Sequence, residues 1–232
     1  MVLSPVAKYR HPENFQSLQR MNNHANIELV ECFNHSEVSR ARQVVASSGY
    51  RRLMQLADEK NVPDFVLWWD ADMVMHDEQS FLRHIEAVND TGLNISGRYP
   101  MRQKQRLAAT QDKLRNSMTM HGWELEPVLS GMGCLLMMSN VFRDQVLSSP
   151  LSKPADGLHQ YLITCPQIIK ADEPEVGWVM LSEDFVYCRH LEKYGGVWYA
   201  KRQGEKGVEH IDYAHMVERP MASLPSDHLH AD

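Results

Sequence analysis

The stretch Phe65-Val66-Leu67-Trp68-Trp69-Asp70-Ala71-Asp72 is the strongest indication of the fold in the sequence. Its five apolar residues stand between a polar, proline-containing segment at 61–64 and two aspartates. A run of that length predicts a strand buried on both faces, which is typical of a sheet that helices cover on each side. Asp70 and Asp72 follow at the carboxyl end of the strand, where open α/β sheets bind their ligands.

The segments around this strand alternate between strand and helix patterns. Predicted strands cover Met1 to Ala7, Asn26 to Phe33, Leu93 to Ser96 and Val197 to Tyr199. Predicted helices cover His11 to Asn23, Ser36 to Lys60, Glu78 to Val88, Asn140 to Leu147 and Glu183 to Tyr194. We therefore expect one α/β domain over residues 1–217, with a mostly parallel central sheet flanked by helices. A polar C-terminal tail is expected at 218–232.

The composition limits the class of protein. The chain has 232 residues, of which 43% are hydrophobic and 23% charged, and these values are those of a globular protein. Its formal net charge of −6 disfavours nucleic acid as a partner. The four cysteines are widely spaced, which favours reduced thiols in a cytoplasm, the host cytoplasm if the protein is viral. No apolar stretch approaches the length of a membrane span.

Asp70 and Asp72 are the strongest chemical signal in the sequence. Residues i and i+2 of an extended segment point the same way, so the two carboxylates are expected to form a pair. Hard oxygen ligands suit Mg²⁺ or Mn²⁺, which bind a few carboxylates together with substrate phosphates. The alternative is a surface turn in which both acids are solvated.

Glu183 and Asp184 follow Ser182 at the start of a predicted helix. A carboxylate at this place can act as a general base toward a hydroxyl group. The alternative is structural, because serine is a preferred helix N-cap and acids in the first turn complement the helix dipole.

Three further features have both a functional and a structural interpretation. Gly131 and Gly133 let the backbone approach a ligand closely, or they form a bulge in a core strand. Arg40 and Arg42 can grip phosphate, or they occupy an exposed helix face. His210, with His215 close by in sequence, can complete a divalent-metal site, although a single histidine is more often a packing or surface residue.

The order of these motifs resembles that of GT-A glycosyltransferases. The similarity is closest to the glycosyltransferase family 2-like group, including compact forms found in bacteriophages and large viruses. It covers the chain from Met1 to about Tyr213, and it rests on the order and spacing of motifs that are individually loose.

The resemblance implies a role for each donor-side motif. Pro5, Arg40 and Arg42 would lie near the nucleotide of a nucleoside-diphosphate sugar, with a UDP-sugar the favoured donor. Asp70 and Asp72 would hold Mn²⁺ or Mg²⁺ at the diphosphate, with His210 as the third metal ligand.

The resemblance also implies roles on the acceptor side. Gly131 and Gly133 would let the backbone pass close to the donor sugar or the acceptor. Asp184 would deprotonate a hydroxyl of a glycan or other acceptor in an inverting displacement, and Glu183 would support it.

Several alternatives stay open at this point. A retaining GT-A enzyme would use the same metal site without a base at Asp184, and viral relatives modify hydroxymethylated DNA bases. The basic run from Arg98 to Arg106 could serve DNA, although a solvated loop is the favoured interpretation. A nucleotidyltransferase and a catalytically silent nucleotide-binding scaffold are the other candidates.

Overall fold

The strand predicted from Phe65 to Trp69 lies in the interior of a sheet in the computed structural model of the protein. The structure describes residues 1–6, 10–33, 38–100, 109–111, 115–149, 151–152, 160–161, 167–170, 178–205 and 207–215. The predicted tail at 218–232 falls outside these residues.

The described residues form five α-helices and sixteen strands. The helices are α1 (Pro12–Asn22), α2 (Val38–Asp58), α3 (Glu78–Thr91), α4 (Ser139–Leu147) and α5 (Glu183–Leu191), the last continued by a 3₁₀ turn at Glu192–Tyr194. The strands are β1 (Val2–Val6), β2 (Leu29–Phe33), β3 (Phe65–Trp69), β4 (Met73–Val74), β5 (Asn94–Ser96), β6 (Ala109–Gln111), β7 (Met118–Met120), β8 (Trp123–Ser130), β9 (Cys134–Met138), β10 (Leu151–Ser152), β11 (Gln160–Tyr161), β12 (Gln167–Lys170), β13 (Trp178–Leu181), β14 (Val197–Gly204), β15 (Gly207–His210) and β16 (Ala214–His215).

Ten of these strands form one sheet with the order β2-β1-β3-β9-β5-β14-β8-β6, in which β15 flanks β14 and β7 flanks β8. β1 runs parallel to both β2 and β3, as the strand–helix alternation predicts, and β14 runs parallel to β5. β9 is antiparallel to both of its neighbours, β3 and β5, and β8 is antiparallel to β14. The sheet is therefore mixed, and the expected mostly parallel sheet is corrected.

The short link between β8 and β9 explains the mixed sheet. Parallel neighbours need a crossover of a dozen or more residues, which usually contains a helix. Only residues 131–133 separate β8 from β9. The chain consequently enters β9 in the direction that it had in β8, opposite to β3 and β5.

Apolar side chains of the sheet supply two cores, one on each face. Leu67 and Trp69 of β3 pack in the cluster that contains Leu18 of α1 and Phe81 of α3. Val66 and Trp68 pack on the other face, in the cluster that includes Val45 of α2, Phe142 of α4 and Tyr187 of α5. Alternate residues of one strand thus face opposite cores, as the continuous apolar run predicts. This packing on both faces fixes the position of the carboxyl end of β3, and Asp70 is the next residue.

Within the part of the chain that the structure describes, no helix combines the length and the apolar character that a bilayer crossing requires.

Candidate functional site

Arg42 joins the acidic motifs that the sequence separates by more than a hundred residues. Its guanidinium Nη2 donates to Asp70 Oδ2 at 2.7 Å, and Nη1 donates to Asp184 Oδ1 at 2.6 Å. Nη1 also lies 3.2 Å from Glu183 Oε1. The sequence prediction that these residues belong to one site is consistent with this placement, but Arg42 binds carboxylates here, where a phosphate contact was expected.

The position of Arg42 follows from how α2 lies on the sheet. Ala41 and Val45 are fully buried, so this part of α2 presses against the strands. Arg42 therefore points along the sheet toward the carboxyl end of β3, and only 6% of its side chain is exposed. A buried guanidinium needs several anionic partners to offset its lost hydration.

The Asp70-Ala71-Asp72 segment is a turn, which corrects the expectation of extended backbone. The Met73 N–H donates to the Asp70 carbonyl at 3.1 Å, and this bond closes the turn before β4 begins. Asp70 is therefore the first residue and Asp72 the third residue of a four-residue turn at the end of β3. Asp70 and Asp72 are both half-buried, so their setting differs from that of a fully solvated surface turn.

Gly133 packs directly against the carboxylate of Asp70 and the phenol of Tyr99. A Cβ atom at this position would lie 2.9 Å from Tyr99 Oη and 3.3 Å from Asp70 Oδ2. The Gly133 N–H donates to Tyr99 Oη at 3.0 Å, and its carbonyl accepts from the Asp70 N–H at 3.0 Å. Gly133 is therefore needed for a close approach within the site. Its predicted approach to a donor or acceptor stays a prediction, as does that of Gly131, which lies in the same link.

The acids of α5 point into this cluster. Asp184 Oδ1 accepts from the Met132 N–H at 3.2 Å as well as from Arg42. Ser182 has the extended backbone of an N-cap, yet its side chain makes no capping hydrogen bond. The helix-capping interpretation thus does not account for where Asp184 is directed.

Burial and charge shift the pKa values of this cluster in definite directions. Burial is the largest influence on Asp184 and raises its pKa above the usual range, while Arg42 opposes that rise. Burial alone would lower the pKa of Arg42, but Asp184, Asp70 and Glu183 raise it, so the guanidinium stays charged. Burial also raises the pKa of Tyr99, and the nearby Asp184 and Asp70 add to that effect.

Pro5 and Arg40 are the other two residues that were predicted to lie near the nucleotide. Pro5 lies two positions beyond the Leu3–Trp68 pair of β1 and β3, hence at the same end of the sheet as Asp70. Arg40 is on α2, but its side chain lies outside the described part of the structure, so its contact with a nucleotide stays a prediction.

The late histidines lie on two different strands. His210 is on β15 opposite Lys201 of β14, and burial followed by Arg98 lowers its pKa. His215 is on β16, where its backbone pairs with Met73, the residue directly after Asp72. The backbone therefore brings His215 to the D-x-D turn, whereas no described contact links His210 to it.

The donor set is compatible with a hard divalent cation. Asp70 Oδ1 is buried and has no hydrogen-bond partner among the described residues. Asp70 and Asp72 supply carboxylate oxygens, the ligand type that Mg²⁺ and Mn²⁺ prefer. No group of three or more histidine, cysteine or acidic side chains converges as a metal cage in the described ranges. Mg²⁺ in proteins is usually bound by one or two carboxylates together with substrate phosphates and water, and the two aspartates match the carboxylate part of such a set.

Sequence reasoning missed two residues that build the site. Tyr99 follows β5 and is buried against Gly133, and Asn14 of α1 is fully buried beneath the D-x-D turn. A buried asparagine on an amphipathic helix follows no local pattern, and the Tyr99–Gly133 contact joins residues that are far apart in sequence. Neither contact therefore had a signal in the sequence.

No protein-family model and no curated protein matches the chain. Among solved structures, the crystal structure of A197 from STIV is similar over 94% of this chain and 96% of that chain, with 12% sequence identity and a TM-score of 0.46. A similarity this weak carries no argument about function.

Proposed function

We propose that the chain is a metal-dependent GT-A glycosyltransferase that moves a sugar from a nucleoside-diphosphate sugar to an acceptor hydroxyl, with inversion. The observation that carries the proposal is the Arg42 cluster. It joins Asp70 of the D-x-D turn and Asp184 of α5 at the carboxyl end of the central strand β3. A cation-binding acid and a candidate base at one edge of an α/β sheet are what a displacement at an anomeric carbon requires.

Asp184 is the proposed general base. In the displacement, the acceptor oxygen bonds to the anomeric carbon as the bond from that carbon to the diphosphate oxygen breaks. The hydroxyl proton passes to Asp184, and the diphosphate leaves with the bonding electron pair. Arg42 and the Met132 N–H both bind Oδ1, so Oδ2 is the oxygen assigned to the acceptor proton. The raised pKa of Asp184 makes it a stronger base than an exposed aspartate.

Asp70 and Asp72 are the proposed cation ligands on the donor side. A Mn²⁺ or Mg²⁺ ion held there would supply positive charge to the departing diphosphate. Arg42 is placed to orient Asp70, because its Nη2 holds Oδ2 in position and leaves the buried Oδ1 without a partner in the described structure.

A thermal-shift screen tests the proposal. Nucleoside diphosphates and nucleotide sugars are added with and without Mn²⁺, and a UDP ligand is expected to raise the melting temperature only when Mn²⁺ is present. Absence of stabilisation by every nucleotide would contradict the proposal. A nucleotidyltransferase would instead release pyrophosphate from a nucleoside triphosphate and a sugar phosphate, and a silent scaffold would bind nucleotide without turnover.

Asp184→Asn separates donor binding from chemistry. The variant keeps an acceptor for Arg42 but cannot take the proton, so we expect unchanged donor affinity and transfer slowed by about 10²–10⁴-fold. Glu192→Gln, an exposed acid at the end of the same helix, is the matched control and should retain turnover. Near-wild-type turnover of Asp184→Asn would return this acid to a structural role or point to a retaining enzyme.

A further inference from the structure

Helix α1 lies beneath the D-x-D turn and binds its backbone carbonyl groups. The side-chain amide of Asn14 donates to the Asp70 carbonyl at 2.8 Å and to the Met73 carbonyl at 2.7 Å. The His11 N–H, just before α1, donates to the Ala71 carbonyl at 3.2 Å. Three of the four carbonyl groups from residue 70 to residue 73 thus accept hydrogen bonds from this one segment.

Asn14 is itself held in a single orientation. It is fully buried, and its side-chain oxygen accepts from Arg10, which also binds Glu31 and donates to Ser4 Oγ at 2.9 Å. Because the oxygen is committed to Arg10, the amide nitrogen must face the turn. The side-chain amide therefore donates one hydrogen bond to each end of the turn.

The contacts from Asn14 add hydrogen bonds that the backbone of the turn does not make by itself. The Met73 N–H bond to the Asp70 carbonyl closes the reversal but leaves the Met73 carbonyl without a partner inside the turn. Asn14 bridges both ends, and it fixes the separation of residues 70 and 73. Asp72, the second carboxylate, lies between those two ends.

We propose that Asn14 is a positioning residue, which sets the spacing of the Asp70 and Asp72 carboxylates and so the affinity of the turn for a divalent cation. The inference rests on the proposed function only in taking these aspartates as cation ligands. Groups that orient metal ligands without touching the ion typically change metal affinity by about 10–100-fold when they are removed.

Ser17 gives a matched control from the same helix. It is also fully buried, and its hydroxyl accepts from the Met75 N–H at 2.9 Å, two residues beyond the end of the turn. Asn14→Ala therefore removes two hydrogen bonds between α1 and this loop, and Ser17→Ala removes one. Only the Asn14 bonds lie on the turn that carries the aspartates.

The experiment measures Mn²⁺ binding by electron paramagnetic resonance, alone and with UDP, well below the melting temperature of each variant. Asp72→Asn identifies the Mn²⁺ that belongs to the turn. Both alanine variants are expected to lower the melting temperature, whereas only Asn14→Ala should weaken binding of that Mn²⁺, by about 10–100-fold. If Asn14→Ala does not fold, Asn14→Ser, which keeps a polar group at the position, provides the same comparison.

The outcomes separate this inference from the proposed function. Equal Mn²⁺ affinity in the wild type and both alanine variants would overturn the positioning role and leave the proposed function intact. Weakened binding in Asn14→Ala, in a protein that transfers no sugar, would support the inference and contradict the proposed function. No Mn²⁺ bound by the wild type at the turn would overturn the inference and remove the cation from the proposed function.

Discussion

At the scale of single residues, Arg42 sets the charge balance of the candidate site. It is the one cation in contact with Asp70, Glu183 and Asp184 among the described residues, so the four side chains together carry a net negative charge. Those carboxylates keep between 17% and 27% of their side-chain surface exposed, whereas Arg42 keeps 6%. The arginine is therefore the group that depends most on its partners, and it opposes the burial-driven rise in the pKa of Asp184.

Replacing Arg42 by methionine should destabilise the fold in a pH-dependent way. The change leaves several carboxylates near one another without a counter-charge, which should lower the free energy of unfolding at pH 7 by about 3 kcal/mol. Arg42 opposes the burial-driven rise in the pKa of Asp184, so its removal raises that pKa further. A carboxyl group whose folded pKa is raised is stabilising when protonated, and the deficit relative to the wild type should shrink from pH 7 to pH 5.

Urea unfolding at both pH values measures this effect. Arg143→Met is the control, because the Arg143–Asp144 pair is nearly half-exposed and should contribute close to nothing. A deficit for Arg42→Met that is small, or that grows as the pH falls, would show that the three carboxylates do not depend on Arg42.

At the scale of elements, the sequence predicts what depends on local pattern. The apolar run at Phe65–Trp69 predicts a strand with the bounds that are observed for β3. The helical spacing of apolar residues predicts α1 and α3 close to their observed bounds. β8 could not be foreseen in the same way, because it pairs with β14, a segment far from it in sequence. The same holds within the site, where the D-x-D turn is recognisable locally, but Asn14, which binds the turn, and Tyr99, which binds Gly133, come from distant elements.

His84 ties α3 to the last described segment of the chain. Its Nε2 lies 2.8 Å from the Ile95 carbonyl, so Nε2 carries the proton and Nδ1 accepts from Tyr213 Oη at 3.0 Å. Tyr213 packs edge-on against Trp69, with ring centroids 5.4 Å apart. Its backbone N–H donates to the Arg98 carbonyl at 2.8 Å. This bridge holds β16 beside the D-x-D turn.

The same histidine should make stability depend on pH. Burial lowers the pKa of His84 from its ordinary 6.5 to about 4, although its bond to the Ile95 carbonyl favours the proton. Between pH 6.5 and pH 4 the unfolded chain binds a proton that the folded chain does not. The free energy of unfolding therefore decreases as the pH is lowered from 6.5 to 4, by about 3 kcal/mol in total.

His84→Gln should remove this dependence, because glutamine can donate to the Ile95 carbonyl but does not titrate. The measurement is the free energy of unfolding between pH 6.5 and pH 4, with exposed His76→Gln as the control. An unchanged slope in His84→Gln, or a loss of slope in His76→Gln, would assign the pH dependence to other groups.

At the scale of the whole molecule, charge argues for an uncharged acceptor. The chain carries a formal net charge of −6, and the candidate site adds a local excess of carboxylates. Arg98, the first residue of the basic run, pairs with Asp212 at 3.3 Å, and residues 101–106 of that run lie outside the described structure. DNA presents about one negative charge per 1.7 Å of helix axis, so its approach to this site would be repelled.

We therefore expect transfer to a neutral glycoside and none to duplex DNA that contains hydroxymethylated bases. Both acceptors are offered with the same radiolabelled donor and Mn²⁺, at low and at physiological salt, and the label in each is counted. Low salt is the sharper condition, because it strengthens repulsion if the site excludes DNA and strengthens binding if the basic run recruits it. Labelled DNA at low salt that disappears as salt rises would reverse the argument from charge and favour the DNA-modifying alternative. Labelled glycoside with unlabelled DNA at both salt concentrations would identify the acceptor as a carbohydrate hydroxyl, approached without help from a polyanion-binding surface.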